Sequence, residues 1–486
     1  MGNLKYFGTD GIRGTAGTDP MCPAFVYRLG QAAGQVLGAD HAQLTFLIGR
    51  DTRASGPILQ QALADGLIAS GATVLDLGIL PTPGIAYLVN RIGATAGAVI
   101  SASHNPASEN GIKFLNRQGM KLSEALEAQI EALLENPRIE QAQTPGQLLD
   151  GSHLYADYEQ DLLMSQPGLD LGGMTLVMDC ANGAAWKVAP EVMRKLGARV
   201  LAINADPDGV INQEAGSEQV RGDPSRLAQL VLENGADIGI AFDGDADRVI
   251  LMDETGQLID GDHMLAILAD HFHAAQQLLG NAMVTTIMAN GALTKYALQR
   301  GFEVMETPVG DKYVTEALLA LSEKNTQPGM VGIGGEQSGH IVLLDAQHRT
   351  GDGLRTALFM LNVIKSAPGQ SLATLAERIR KYPQLVASCV VAQKIELSTL
   401  PGLQEVLACL QQDLPGLVRY NSRYSGTEPK YRLMLETDTR HTPPEVAAKA
   451  WQICRLIQHE TGTTLGSKIE VLNVADGGLM PPPEDL

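Results

Sequence analysis

The chain has 486 residues, 44% hydrophobic and 19% charged, a length that calls for about three or four domains and a composition that excludes extensive disorder. Its 36 Lys and Arg against 55 Asp and Glu give a net charge of −19, which disfavours nonspecific binding to nucleic acid or anionic membranes, and 4% aromatic content leaves little for base stacking. A small anionic ligand is still compatible with this balance, provided that a local basic pocket receives it. The start Met1-Gly2-Asn3-Leu4-Lys5-Tyr6-Phe7 lacks the apolar core of a signal peptide, and no apolar run reaches membrane-spanning length. Cys22, Cys180, Cys389, Cys409 and Cys454 are scattered with no CxxC spacing, as expected of reduced thiols in a cytoplasmic protein.

Short β-branched runs alternate with helical stretches along most of the chain. Thr45-Phe46-Leu47-Ile48 predicts a strand, Gly56 to Ser70 a helix, and Ala72-Thr73-Val74-Leu75 a second strand, a grammar that implies parallel sheets with helices on both faces. The apolar stretch Gly97 to Ile100 reads as a further buried strand. The Pro- and Gln-rich segment from Asn136 to Gly151 reads as a linker. The same pattern returns with a strand at Met174 to Met178 and a helix at Pro190 to Leu196, and again from Ala282 to Ile287. Further boundaries fall near Asp260-Gly261-Asp262 and Ala367-Pro368-Gly369-Gln370. Beyond them, strands at Val386 to Val391 and Tyr431 to Leu435 and a helix at Pro444 to His459 suit an α+β domain. The predicted fold is therefore α/β, with three similar doubly wound domains over residues 1–150, 151–260 and 261–370 and a different one over 371–486.

Five loops carry chemistry. Gly8-Thr9-Asp10-Gly11-Ile12-Arg13-Gly14 is glycine-rich but matches neither GxGxxG nor a Walker loop, so no dinucleotide or ATP site is indicated. Ser101-Ala102-Ser103-His104-Asn105-Pro106 sets a hydroxyl where a buried strand opens into a polar loop. Serine needs a base, a metal or a prior modification to act, and His104 would point away from Ser103 along an extended chain, so a Ser/His pair is weak and an ordinary turn competes. Lys113, ten residues on, either reaches back to the same pocket or caps a hairpin at the surface, and spacing alone favours the surface.

Asp243-Gly244-Asp245-Ala246-Asp247-Arg248 places three carboxylates at alternate positions, able to converge on one hard cation such as Mg²⁺. Glu254 stands at the twelfth place of an EF-hand count, but Arg248 occupies the sixth, where glycine is needed, and both flanks are strand-like. A solvated acidic turn is the plain alternative. Gly334-Gly335-Glu336-Gln337-Ser338-Gly339-His340 could hydrogen-bond vicinal hydroxyls or be a simple turn. Arg423-Tyr424-Ser425-Gly426-Thr427-Glu428-Pro429, with Arg432 beyond, makes a phosphate cradle or a charged surface turn.

Taken together, Phe7 to Gly14, Ser101 to Pro106, Asp243 to Arg248, Glu336 to His340 and Arg423 to Pro429 resemble the α-D-phosphohexomutase superfamily, in family order from Phe7 to about Glu436. The resemblance implies four domains around a central cleft and a phosphate carried on Ser103. It implies Mg²⁺ held by Asp243, Asp245 and Asp247 with Ser103, and sugar contacts from Glu336 and Ser338. A phosphate site of Arg423, Ser425, Gly426, Thr427 and Arg432 follows, with Arg13, His104, Lys113 and His340 around the transferring group. The implied activity interconverts glucosamine 6-phosphate and glucosamine 1-phosphate through a 1,6-bisphosphate, with glucosamine or glucose 1,6-bisphosphate as activator. A phosphomannomutase or phosphoglucomutase, or an inactive sugar-phosphate-binding protein on the same scaffold, is the alternative. The partner is a small hexose phosphate rather than nucleic acid or membrane, and a homodimer is compatible with the resemblance. Two features depart from the family's usual wording. Ala246 stands where glycine is usual, so the loop must distort if that position needs φ > 0, and Tyr424 with Lys430-Tyr431-Arg432 is not the commonest wording in the amino-sugar branch.

Overall fold

A computed structural model describes the chain except residues 1–3, 9, 40–42, 137–138, 140, 326, 368, 426–428, 439, 465, 475–477 and 484–486. It divides into two compact units. One contains Met1–Val220, Ser225–Thr286 and Met305–Ala376, and the other Arg221–Pro224, Ile287–Val304 and Glu377–Leu486. Among the described residues no helix is long and apolar enough to cross a membrane.

The first sheet comprises β1 (Ile12–Thr15), β2 (Thr45–Arg50), β3 (Thr73–Ile79), β4 (Ala96–Ile100), β5 (Glu109–Leu115) and β6 (Gln147–Asp150), in the order β1-β5-β4-β2-β3-β6. Strand alternation feeds two faces. Phe46 and Ile48 of β2 join a core with helices Pro23–Gly38 and Gly56–Ala69, while Gly49 meets Ile85 of the helix Thr82–Ile92. The second sheet has β7 (Thr175–Asp179), β8 (Arg199–Ile203), β9 (Ile238–Phe242), β10 (Val249–Met252) and β11 (Leu258–Ile259), ordered β11-β10-β9-β7-β8. In the third, β12 (Leu278–Thr286), β13 (Glu303–Thr307), β14 (Val331–Gly335) and β15 (Ile341–Leu344) run β13-β12-β14-β15.

These sheets are not wholly parallel, as the strand-helix-strand grammar implied. Each has parallel pairs, yet β4–β5, β9–β10 and β14–β15 are antiparallel hairpins. The connections explain the difference, because the segments 101–108, 243–248 and 336–340 are too short for the dozen or more residues of a parallel crossover. Each of these three hairpins is closed by one of the motif-bearing loops. The proposed linker is also partly a strand: Gln147–Asp150 pairs in parallel with β3, while Pro137 lies outside the described residues. Its two leucines are exposed, so this edge strand lacks the buried apolar pattern that would mark it in sequence. The boundary at Asp260 is a helix start, where its side chain accepts a hydrogen bond from the His263 amide. Pro368 lies outside the described residues.

In the second unit, β16 (Gln384–Val390), β17 (Leu417–Tyr424), β18 (Lys430–Thr437) and β19 (Ile469–Asn473) form an antiparallel sheet ordered β17-β18-β16-β19. Leu385, Ala387 and Cys389 alternate into a core with Tyr431, Leu433 and Leu435, covered by Val446, Ala450, Ile453 and Ile457 of the helix Pro443–Glu460. This antiparallel sheet and its helices have the α+β character expected for the C-terminal region.

Candidate active site

Ser103 is buried just beyond β4, with φ at +51°. Its Oγ donates to Asp243 Oδ2 at 2.7 Å and lies 3.2 Å from His104 Nδ1. The expectation that adjacency would separate Ser103 from His104 therefore fails. The left-handed backbone breaks the side-to-side alternation of an extended chain and brings the two side chains together. Ser101 supports the turn, accepting from the Ser103 amide at 2.9 Å and donating to Asp51 Oδ2 at 2.6 Å.

The carboxylates of Asp243, Asp245 and Asp247 are buried, and one oxygen from each lies within 4.8 Å of the others. Burial and the like charges of Asp247 and Asp245 push Asp243 well above the usual carboxylate range. Burial would also raise Asp247, but His340 and Lys113 outweigh it and hold this carboxyl below its ordinary value. The donor set fits a hard cation. Asp245 Oδ2 is satisfied by Thr82 Oγ1 at 2.6 Å and Lys113 Nζ at 2.8 Å, whereas the buried Asp245 Oδ1 and Asp247 Oδ1 have no hydrogen-bond partner among the described residues.

Thr82, at the start of the helix Thr82–Ile92, thus selects which Asp245 oxygen stays open. Thr82→Val is expected to weaken Mg²⁺ binding by about 10–100-fold, the usual effect of losing a partner behind a metal ligand. Titration calorimetry with Mg²⁺ checks this, and unchanged affinity would show that Thr82 does not tune the aspartate cluster for a cation.

Ala246 does take the left-handed conformation, with φ at +58°, yet the three aspartates still converge around it. An alanine there is strained by roughly 1–2 kcal/mol, of which the greater chain freedom of glycine offsets about 0.4–1. Ala246→Gly is therefore expected to stabilise the protein by about 0.5 kcal/mol in a denaturant melt. A net loss would mean that packing of the buried methyl outweighs the strain.

Lys113 is buried in the site rather than at a hairpin surface. Its Nζ lies 2.8 Å from Asp245, 3.6 Å from Asp10 and 3.7 Å from Asp247. Lys121 sits 2.7 Å from both Asp10 and Asp311, and His340 spans Asp247 at 3.7 Å and Asp311 at 3.6 Å. Asp247, Lys113, Asp10, Lys121, Asp311 and His340 form a closed ring in which carboxylates alternate with basic groups. Burial would discharge its cations, but the surrounding carboxylates hold Lys113, Lys121 and His340 above their ordinary pKa values. Arg13 pairs with Asp10 and donates to Asn105 Oδ1 at 3.2 Å, while Arg248 lies 3.0 Å from Glu218. Basic side chains are thus gathered here in an acidic chain, each of them paired with carboxylates of the same cluster.

The β14–β15 loop brings His340 into this ring. Glu336 contributes to the field that keeps Arg248 charged, and the buried Ser338 Oγ has no hydrogen-bond partner among the described residues. Gln337, whose Nε2 donates to Asp262 Oδ2 at 2.7 Å, fixes the loop between them.

In the second unit, Arg423 and Arg432 are direct cross-strand partners on β17 and β18. Like charges in this register repel, and burial together with Arg432 lowers the pKa of Arg423. The buried Arg423 Nε has no hydrogen-bond partner among the described residues. An anion would relieve both costs. Ser425 is buried beside the pair, with its amide on the Lys430 carbonyl at 2.8 Å and its own carbonyl on Lys394 Nζ at 2.6 Å. Gly426 and Thr427 lie outside the described residues.

The family models described as phosphoglucomutase/phosphomannomutase alpha/beta/alpha domains I, II and III match residues 4–140, 156–256 and 260–382. The chain belongs to the phosphoglucomutase/phosphomannomutase family. It is 43% identical to the phosphoglucosamine mutase of Desulforamulus reducens, covering 89% of this chain and 95% of that one. It is also 43% identical to the phosphoglucosamine mutase of Methylobacillus flagellatus, covering 94% and 99%. Such similarity over nearly the whole length makes this chain a mutase enzyme. A phosphoglucomutase/phosphomannomutase family protein from Burkholderia thailandensis shares the fold, with a TM-score of 0.75 at 22% identity over 95% of this chain and 98% of that one. Aspergillus fumigatus N-acetylphosphoglucosamine mutase, solved with GlcNAc-6P and magnesium, has a TM-score of 0.65 at 18% identity over 94% and 96%.

Several residues of this cluster had no functional reading from sequence. Asp10 stood unassigned in its glycine-rich motif, and Lys121, Asp311 and Thr82 are isolated polar residues in sequence, brought to the site only by tertiary packing.

Proposed function

We propose that this mutase interconverts glucosamine 6-phosphate and glucosamine 1-phosphate through a phosphate carried on Ser103. The observation that carries this reading is Ser103 Oγ, buried and 2.7 Å from a carboxylate of the aspartate cluster, in which Asp245 Oδ1 and Asp247 Oδ1 have no hydrogen-bond partner among the described residues. Mg²⁺ is the cation assigned to Asp243, Asp245 and Asp247 with Ser103, and when bound it neutralises charge on the transferring phosphoryl group. Its removal by chelation would stop turnover.

The phosphoryl group passes from Ser103 Oγ to the free sugar hydroxyl: a P–O bond to the sugar forms as the P–Oγ bond breaks, the hydroxyl proton leaves to a base and Ser103 Oγ takes up a proton, giving the 1,6-bisphosphate. The phosphoryl group at the other end then returns to Ser103. Burial and the positive charge of Arg248 lower the His104 pKa, favouring a neutral imidazole able to accept a proton 3.2 Å from the serine. Arg13, Lys113 and His340 surround the transferred group. Glu336 and Ser338 take sugar hydroxyls, while Arg423, Ser425, Gly426, Thr427 and Arg432 bind the phosphate that is not transferred. Glucosamine or glucose 1,6-bisphosphate serves as activator. The sheet boundaries support functional divisions at 1–150, 151–260, 261–370 and 371–486 for serine, metal, sugar and phosphate.

The amino sugar is favoured by relatives named phosphoglucosamine mutase at 43% identity. Comparing kcat/KM on glucosamine, glucose and mannose phosphates, with Mg²⁺ and bisphosphate present, tests it. A better rate on glucose or mannose phosphate would reassign the substrate. Arg423→Ala is expected to raise KM about tenfold or more with a smaller change in kcat, and a loss confined to kcat would contradict the cradle role.

A further inference from the structure

We propose that Arg53 and Asn212 are positioning residues that clamp the Ser103 loop and thereby hold the serine hydroxyl in its productive orientation, an inference that rests on the phosphate-carrier reading. Arg53 is completely buried, and its five guanidinium donors meet five acceptors. Nε donates to Asp51 Oδ2 at 2.9 Å, Nη2 to the Ser103 and Asn105 carbonyls at 2.8 Å each, and Nη1 to the Glu109 carbonyl at 2.8 Å and to that of Pro106. From the segment between β8 and the helix Gly216–Gly222, Asn212 Nδ2 donates to two of the same carbonyls, Ser103 at 2.7 Å and Asn105 at 3.0 Å.

The two carbonyls flanking His104 are therefore each held twice, once from the serine sheet and once from the metal-loop side. This grip has a specific task. Ser103 at φ +51° is in a conformation that a non-glycine residue does not favour, and relaxing it would swing Oγ away from Asp243. Fixing the carbonyls at both ends of the turn opposes that relaxation. The Asp51 carboxylate links the clamp to the hydroxyl-bearing turn a second time, since it also takes the Ser101 hydroxyl that supports the Ser103 amide. A phosphoryl carrier must meet its acceptor in line, so a misplacement of about 1 Å can cost on the order of 10²-fold in rate.

Asn212→Gly is the cleaner test, because Asn212 has φ at +62° and glycine accepts that backbone without strain. The expected result is a kcat lowered about tenfold, a KM for glucosamine 6-phosphate within about twofold of wild type, and slower rephosphorylation by glucose 1,6-bisphosphate followed by intact mass. Arg53→Lys keeps the charge but not the fork, and where it folds should show the same pattern, with a loss nearer 100-fold. Wild-type kcat and rephosphorylation in Asn212→Gly would overturn the inference, as would a raised KM alone or a lowered melting temperature with kcat intact. If the wild-type protein neither accepts phosphate nor turns over sugar phosphate, the functional reading itself fails, which is a different result.

Discussion

Ser103→Ala is expected to take up no phosphate from glucose 1,6-bisphosphate and to lose mutase turnover by about 10⁴-fold or more, because no oxygen remains to carry the phosphoryl group. Intact mass and a coupled turnover assay check the two halves separately. The substitution also removes the donor at 2.7 Å from Asp243 Oδ2, so some weakening of the aspartate loop accompanies the chemical loss. Ser103→Gly separates these effects from backbone strain. It should be equally inactive, yet more stable than Ser103→Ala by about 0.5 kcal/mol, since relief of the steric penalty at φ +51° exceeds the cost of glycine's greater chain freedom. Phosphate uptake by the alanine variant would move the nucleophile elsewhere, with His104, 3.2 Å from the hydroxyl, as the nearest candidate.

The aspartate loop was legible in sequence because its chemistry is local: alternate carboxylates between two strands need no distant partner to suggest a cation site. Lys113 was not. Its place depends on the register of β5 against β4, where it opposes Val99, and on a carboxylate 132 positions away. Arg53 left still less trace, since four of its five acceptors are backbone carbonyls, which every residue possesses. The same distinction governs the fold. Buried strands such as Thr45–Arg50 declare themselves by composition, whereas Gln147–Asp150 is a strand only because β3 offers its edge. Strand direction was misread where helices were assumed to separate all paired strands. The brevity of the motif loops was available in the sequence and already required hairpins.

Lys113→Met is expected to cost about 3–5 kcal/mol of stability in Mg²⁺-free buffer, because a buried ammonium would vanish while Asp245, Asp10 and Asp247 remain around the space it filled. Methionine preserves much of the side-chain volume, so the loss reports charge rather than a cavity. Burial alone would lower the lysine pKa, but these carboxylates raise it above the ordinary value of 10.5. A raised lysine pKa means that its contribution is fully present below the unfolded value and disappears only as pH climbs through the higher folded value. The deficit of the variant should therefore be nearly constant between about pH 7 and 9. Mg²⁺ at about 100 times the wild-type Kd should return close to 2.7 kcal/mol to the wild type, and at that same concentration the variant should gain at least as much because a competing cation has left the site. Denaturant melts with and without Mg²⁺ provide the comparison. Equal stability of variant and wild type without metal would mean that the aspartates are already discharged by protons, and the charge ring would then have no role in holding the site together.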